Sequence, residues 1–171
     1  NARHRDAEHR EEIQCDTTTG TTATTAGGML SASATAVANA GDFAIAIAAA
    51  RGVEQNASAA GMASVSFVNA GSFNVVADAS ANITDTAATS AGAIANANAI
   101  GVEQDANATG MMGEAAAIFA NSGTFSVTAS AVAAGGVQTA GTANAASAQA
   151  IGLLADSGNA IDATNTGSLS V

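Results

Sequence analysis

The sequence has no tryptophan, no tyrosine and no proline, and only 5 phenylalanines among 171 residues. Lysine is missing as well: 4 arginines stand against 14 acidic residues, for a net charge of −10. Without clustered Lys and Arg, phosphate backbones cannot be neutralised, which argues against a nucleic-acid partner and against an anionic membrane surface. Cys15 is single, so there is no intrachain disulfide framework. No apolar run reaches the ~18–20 residues a membrane helix needs, and membrane insertion is not expected. The chain begins at Asn1 with no visible signal peptide, a start that fits a processed or truncated product.

What is present is alanine. About half of the residues are apolar, most of them Ala, so any core is thin. Burying one methyl gains on the order of 0.8 kcal/mol. Stability must come from many small contacts and many backbone hydrogen bonds. Disordered chains are usually highly charged and poor in β-branched residues; this one carries few charges and regularly placed Val, Ile and Phe.

Three copies of Ala-x-Ala-x-Ala-x-Gly organise the chain. They are 46–52, 95–101 and 146–152, with Gly52, Gly101 and Gly152 lying 49 and 51 positions apart. Ala46, Ala48, Ala50, Ala95, Ala97, Ala99, Ala146, Ala148 and Ala150 hold one face small, while the residues between them vary. That period of two marks strands. Alanine is the best helix former, but the intervening Asn, Ser, Thr, Gly and Val disfavour helix, and apolar i, i+3, i+4 spacing is absent.

A second motif, Gly-x-Φ followed by alternation, occurs at Gly28-Met29-Leu30, Gly71-Ser72-Phe73, Gly123-Thr124-Phe125 and Gly167-Ser168-Leu169, spaced 43, 52 and 44 apart. The last three copies follow an asparagine, giving the pairs Asn69/Gly71, Asn121/Gly123 and Asn165/Gly167. Asn39 and Gly41 repeat the signature, and Gly92 and Gly141 take its place before the later alanine strands. Asn and Gly tolerate left-handed backbone angles, which predicts corners at these positions.

Each unit thus carries two clear strands and a variable third region containing Glu54-Gln55 or Glu103-Gln104 and a short apolar run, 65–68 or 117–120. The expected fold is all-β: a parallel β-solenoid of about three units of 44–52 residues with a thin Ala-rich core. The units are 28–70, 71–122 and 123–166, with a partial fourth at 167–171. Coils of ~20–25 residues make each unit two coils; a single large coil or a sandwich-like blade is the alternative. Alanine should stack on alanine, Asn on Asn, and Gln55 near Gln104, with amides bonded along the axis. Residues 17–27 read as a Thr/Gly-rich lead-in, a strand or a loop. Residues 1–16 are crowded with charge. They suit either a short helix, with Glu8 one turn from Glu12 and Asp6 from Arg10, or a solvated arm, and a linker or N-terminal extension is expected.

The alternating Ala/Ser/Thr/Val strands, the Asn-x-Gly corners and the Ala-Ile-Gly-x-x-Gln endings over residues 28–171 resemble alanine-rich β-repeat surface proteins of bacteria, in the style of autotransporter passengers and haemagglutinin-like adhesins. The resemblance implies an extracellular or cell-surface, fibre-like protein and carries over no functional residue. The C-terminal membrane barrel of true autotransporters has no counterpart in this sequence, and residues 1–16 depart from the pattern.

No catalytic, cofactor or metal residue emerges. Asp42, Asp78, Asp85, Asp105, Asp156 and Asp162 are scattered and lack the Gly-Gly-x-Gly-x-Asp calcium signature. His4 and His9 are poorly spaced for one helical face, so with Cys15 they make an unconvincing ligand set. Glu54 and Glu103 recur without an accompanying His, Arg or aromatic and read as stacked surface carboxylates. Gly-x-Ser-x-Gly is absent, and the sequons at Asn56, Asn82 and Asn107 follow from composition. No Thr-x-Thr column recurs as an ice-binding face would need. The expectation is a structural, non-enzymatic, self-associating protein. Its motivation is the repeat that is unfinished at 167–171, because an open coil end templates strand pairing. The alternative is an adhesin-type module using Val76, Ile100 and Ile151 as an apolar patch toward a surface or glycan ligand.

Overall fold

The computed structural model describes the backbone of residues 5–17, 20–25, 28–41, 43–84, 92–135 and 144–171, with side chains from residue 28 onward in those ranges. Twelve strands run in order: β1 (Arg5–Thr17), β2 (Gly20–Thr25), β3 (Met29–Ala40), β4 (Phe43–Ala59), β5 (Met62–Asn69), β6 (Ser72–Ile83), β7 (Gly92–Ala108), β8 (Glu114–Asn121), β9 (Thr124–Gly135), β10 (Ala145–Ser157), β11 (Ala160–Asn165) and β12 (Ser168–Ser170). They form three four-stranded sheets ordered β1-β4-β7-β10, β2-β5-β8-β11 and β3-β6-β9-β12. Every pairing is parallel. The chain visits the three sheets in turn and returns one rung along the axis, which is a parallel β-solenoid.

Each unit is one large three-strand coil, not two coils of 20–25 residues. The two-coil expectation ended the alanine strand at its glycine. In fact β4 and β7 continue to Ala59 and Ala108. The alternation slips by one residue at the glycine, where Gly52-Val53 and Gly101-Val102 are buried in succession. Sheet one thus has two inward stretches. Ala44, Ala46, Ala48 and Ala50 share the main core with Ala77, Ala79, Ala81 and Ile83 of the third sheet. Beyond the slip, Ala57 and Ala106 build a smaller core with Ala63, Val65, Ala115 and Ala117 of the second. The register is one of like on like: Ala46↔Ala95, Ala48↔Ala97, Ala50↔Ala99, Val53↔Val102 and Gln55↔Gln104.

The slip needs glycine because an aromatic ring occupies the inside of the bend. A Cβ on Gly52 would sit 2.3 Å from the Phe73 ring and 2.6 Å from the Gly101 carbonyl oxygen; on Gly101 it would sit 2.7 Å from the Phe125 ring. Phe73 and Phe125 stack on adjacent rungs at 4.6 Å between centroids, and Phe67 stacks on Phe119 at 5.6 Å. The two stacks meet edge to face, Phe67–Phe73 at 5.2 Å and Phe119–Phe125 at 5.3 Å. Four of the chain's 5 phenylalanines therefore make one aromatic block in an otherwise methyl-sized interior.

The Asn-x-Gly corners lie where expected, but for a different reason. Among the described residues, only Gly135 has positive φ. Gly71, Gly123 and Gly167 are instead points of close backbone approach. A Cβ would lie 2.1 Å from Gly28 O, 2.0 Å from Gly71 O and 2.1 Å from Gly123 O, respectively. Corners stacked rung on rung leave no space for a side chain along the axis.

Residues 1–16 were expected as a charged arm; from Arg5 onward, and on to Thr17 of the lead-in, the chain runs as β1 beside β4, from Arg5↔Ala44 to Thr17↔Ala57. Residues 20–25 of the lead-in run as β2 beside β5. The exposed edges of β4 and β5 supply rows of backbone donors and acceptors that any preceding segment can satisfy, and this backbone term overrides side-chain patterning. His4, Asp42, Asp85 and Gly141 lie outside the described residues, as do the side chains of His9 and Cys15.

Because Ala97 is buried beneath the opposite sheet, Ala97→Leu should lower unfolding free energy by ~1–3 kcal/mol through overpacking. Asn98→Leu, on the outward face of the same strand, should stay within ~0.5 kcal/mol. Urea titration of both variants measures the difference, and equal melts would contradict the inward assignment.

Candidate functional site

β10, β11 and β12 form coil 4, the last described rung of the solenoid. Two amide ladders run along the solenoid axis, in opposite senses. In the first, Asn69 donates through Nδ2 to Asn121 Oδ1 at 2.7 Å and to the Thr124 carbonyl at 2.9 Å. Asn121 repeats the pattern one rung on, to Asn165 Oδ1 at 2.6 Å and Ser168 O at 3.1 Å. Asn69 and Asn121 are buried, while Asn165 is exposed and donates back to Gly167 O at 3.3 Å. Buried amides are tolerated because each finds partners, and the stacking fixes the corner register. The ladder is directional, with every inter-rung donor pointing toward coil 4.

The second ladder runs the other way. Gln104 donates to Gln55 Oε1 at 2.8 Å and to Ile118 O at 2.8 Å, and Gln55 donates to Ser66 O at 2.8 Å. The next position in this column is Ala155. Gln104 Oε1 is consequently buried with no hydrogen-bond partner.

The apolar columns thin out on the same rung. Ala163 lies over Phe119 and Leu169 over Phe125. The missing ring volume leaves a cavity of about 360 Å³ lined by Phe119, Gly152, Leu153, Ala163, Leu169 and Val171, among others. Leu154, Ile161, Leu169 and Val171 are exposed. Ala146, Ala148 and Ala150 keep the alanine register over Ala95, Ala97 and Ala99. Yet Ala146 and Ala148 are exposed and Ala150 is half-buried. The shared register keeps all three in the inward column, opposite the short β12 strand. Ala46, Ala48, Ala50, Ala95, Ala97 and Ala99 are all buried.

No family model, curated protein or solved structure matches this chain.

The expectation that Glu54 and Glu103 lack an accompanying arginine does not hold. Arg51 sits between the stacked carboxylates, paired with Glu54 on its own rung and 3.4 Å from Glu103 on the next. Its i, i+3 spacing to Glu54 was legible, but its reach across rungs required the register. The three groups are partly exposed on the outer face, where one guanidinium offsets half the charge of two carboxylates, a contribution of ~0–1 kcal/mol. Among the described residues, no group of three His, Cys, Asp or Glu side chains is placed to hold a metal ion.

Two stability outcomes test the ladders. Asn121→Ala should cost ~1–3 kcal/mol, since it removes one acceptor and two donor bonds from a buried site, while Asn165→Ala should cost less than ~1 kcal/mol. Ala155→Gln should stabilise by about 1 kcal/mol by donating to Gln104 Oε1. Ala155→Leu, which lacks the donor, should not show that gain in the same denaturant titrations.

Proposed function

We propose that this chain is a structural unit of an extracellular fibre, assembling end to end by strand stacking between copies. One observation carries the reading: in all three sheets each strand pairs in parallel and in register with its counterpart one rung on, so the same stacking can be repeated by another copy. Asn165 ends an amide ladder that continues along the axis by translation alone. Leu154, Ile161, Leu169 and Val171 present apolar surface at the same rung. At the opposite end, β1, β2 and β3 have one described neighbour each. A head-to-tail contact between two unlike ends that does not close on itself generates a filament. Backbone pairing between rungs asks little of side-chain chemistry. Placement outside the cell rests on the resemblance to secreted bacterial β-repeat proteins.

A second reading, an adhesin-type binding module, is favoured by the outward face of the first sheet. There Ile47, Ala49, Asn96, Asn98, Ser147 and Gln149 line a shallow depression of about 290 Å³. Amides beside small apolar groups match a polysaccharide better than they match an ionic ligand. Val76, Ile100 and Ile151 are each partly exposed, but they supply no large apolar patch.

The fibre reading predicts elongated particles at high concentration and a meridional reflection near 4.8 Å from aligned samples. Leu169→Asp should abolish elongation while leaving the unfolding midpoint of the isolated chain within ~1 kcal/mol of the parent. Single particles of uniform mass at all concentrations, together with retention on a glycan array by monomers, would transfer support to the adhesin reading.

A further inference from the structure

The chain holds 4 methionines, and none of them is in the core. Met29 is 78% exposed, Met62 73%, Met111 106% and Met112 97%. A flexible thioether normally fills irregular gaps inside a protein. Here the alanine columns leave no such gap, yet the fold gives no reason for the sulfurs to sit at the surface.

Three of the four share one corner. In coil 2, Ala60-Gly61 joins β4 to β5 in two residues; in coil 3, five residues, 109–113, join β7 to β8. The corners are locked together on both flanks, by Thr109 N to Ala59 O at 2.8 Å and Glu114 N to Gly61 O at 3.1 Å. The three extra residues therefore bulge outward. They account for the change in repeat offset from 49 at the glutamine ladder to 52 at the asparagine ladder. The bulge is a β-turn closed by Gly113 N to Gly110 O at 3.0 Å, with Met111 and Met112 at its two central positions. Turn centres usually take Gly, Asn, Asp or Pro; two fully exposed methionines there serve neither turn geometry nor packing. Met62 opens β5 on the rung beside, in register with Glu114. Rungs lie ~4.8 Å apart, and each sulfur rides on an unbranched side chain with three rotatable bonds.

We infer that Met62, Met111 and Met112 form a thioether site for a soft monovalent cation, Cu(I) or Ag(I). Thioether sulfur selects such ions over Zn(II), Ca(II) or Mg(II). The ligands are already in water, so binding requires no unfolding and little desolvation. The neighbouring Glu114 carboxylate and the net charge of −10 draw cations to the surface. The site is independent of whether the chain forms fibres.

The test uses the full chain carrying Cys15→Ser, which removes the competing thiolate. Ag(I) is titrated as a redox-inert probe while the methionine methyl resonances are followed by NMR. The expected result is saturation at one equivalent, with Met62, Met111 and Met112 shifting together and Met29, on a different corner, unmoved. Replacing the three with leucine should abolish saturable binding at an unchanged unfolding midpoint, and Zn(II) should leave all four methyls in place. Equal movement of Met29 would mean non-specific attraction to any exposed thioether and would overturn the inference. Absence of Ag(I) binding, or a response to Zn(II) through Glu114, would overturn it as well.

Discussion

The backbone hydrogen bonding between successive rungs is the interaction on which the rest of this molecule depends. With a core made mostly of methyl groups, apolar burial per residue is small. The solenoid compensates by pairing its long strands on both sides in the inner rungs and by keeping one register along each inner pairing, as between β4 and β7. Parallel in-register stacking places each side chain on its counterpart one rung away. A favourable contact is therefore repeated, and so is an unfavourable one. This is why identical or near-identical residues recur in the inward columns and why the outward columns drift.

Size is the second constraint, and it follows from the first. Once rungs are fixed at one spacing, a column accepts only what stacks at that spacing. Alanine does so without side-chain entropy loss. Phenylalanine does so by lying ring on ring, as Phe73 does on Phe125. Asparagine and glutamine do so by donating along the axis. Glycine appears where even a methyl is too large, at the stacked corners and inside the bend against the Phe73 and Phe125 rings. Each residue type in the repeat thus answers one geometric question, and the same stacking rule leaves coil 4 with apolar surface and an amide pointing onward.

The strand periodicity, the Gly-x-Φ register and the Asn and Gln columns were legible in the sequence, because a period of two and a repeat offset are linear properties of the chain. Leu30, Phe73, Phe125 and Leu169 align in one column as the motif spacing implied. The continuation of β4 past Gly52 was not legible. The inward face changes parity there, and parity is set by which wall the strand faces. Left-handed corner glycines were the wrong mechanism for the right position, because crowding between rungs cannot be seen along one strand.

By itself, the sequence determined that this chain is made of strands, that they repeat, and which residues share a column, since local alternation and self-similarity need no third dimension. Tertiary structure alone decided how many strands make a coil, where the inward face slips, and which edge is left uncovered. It also decided that Met62 pairs with Glu114, which follows the Met111–Met112 turn by two residues. These depend on which distant segments face one another, and facing is a property of the closed coil, not of any stretch of chain within it.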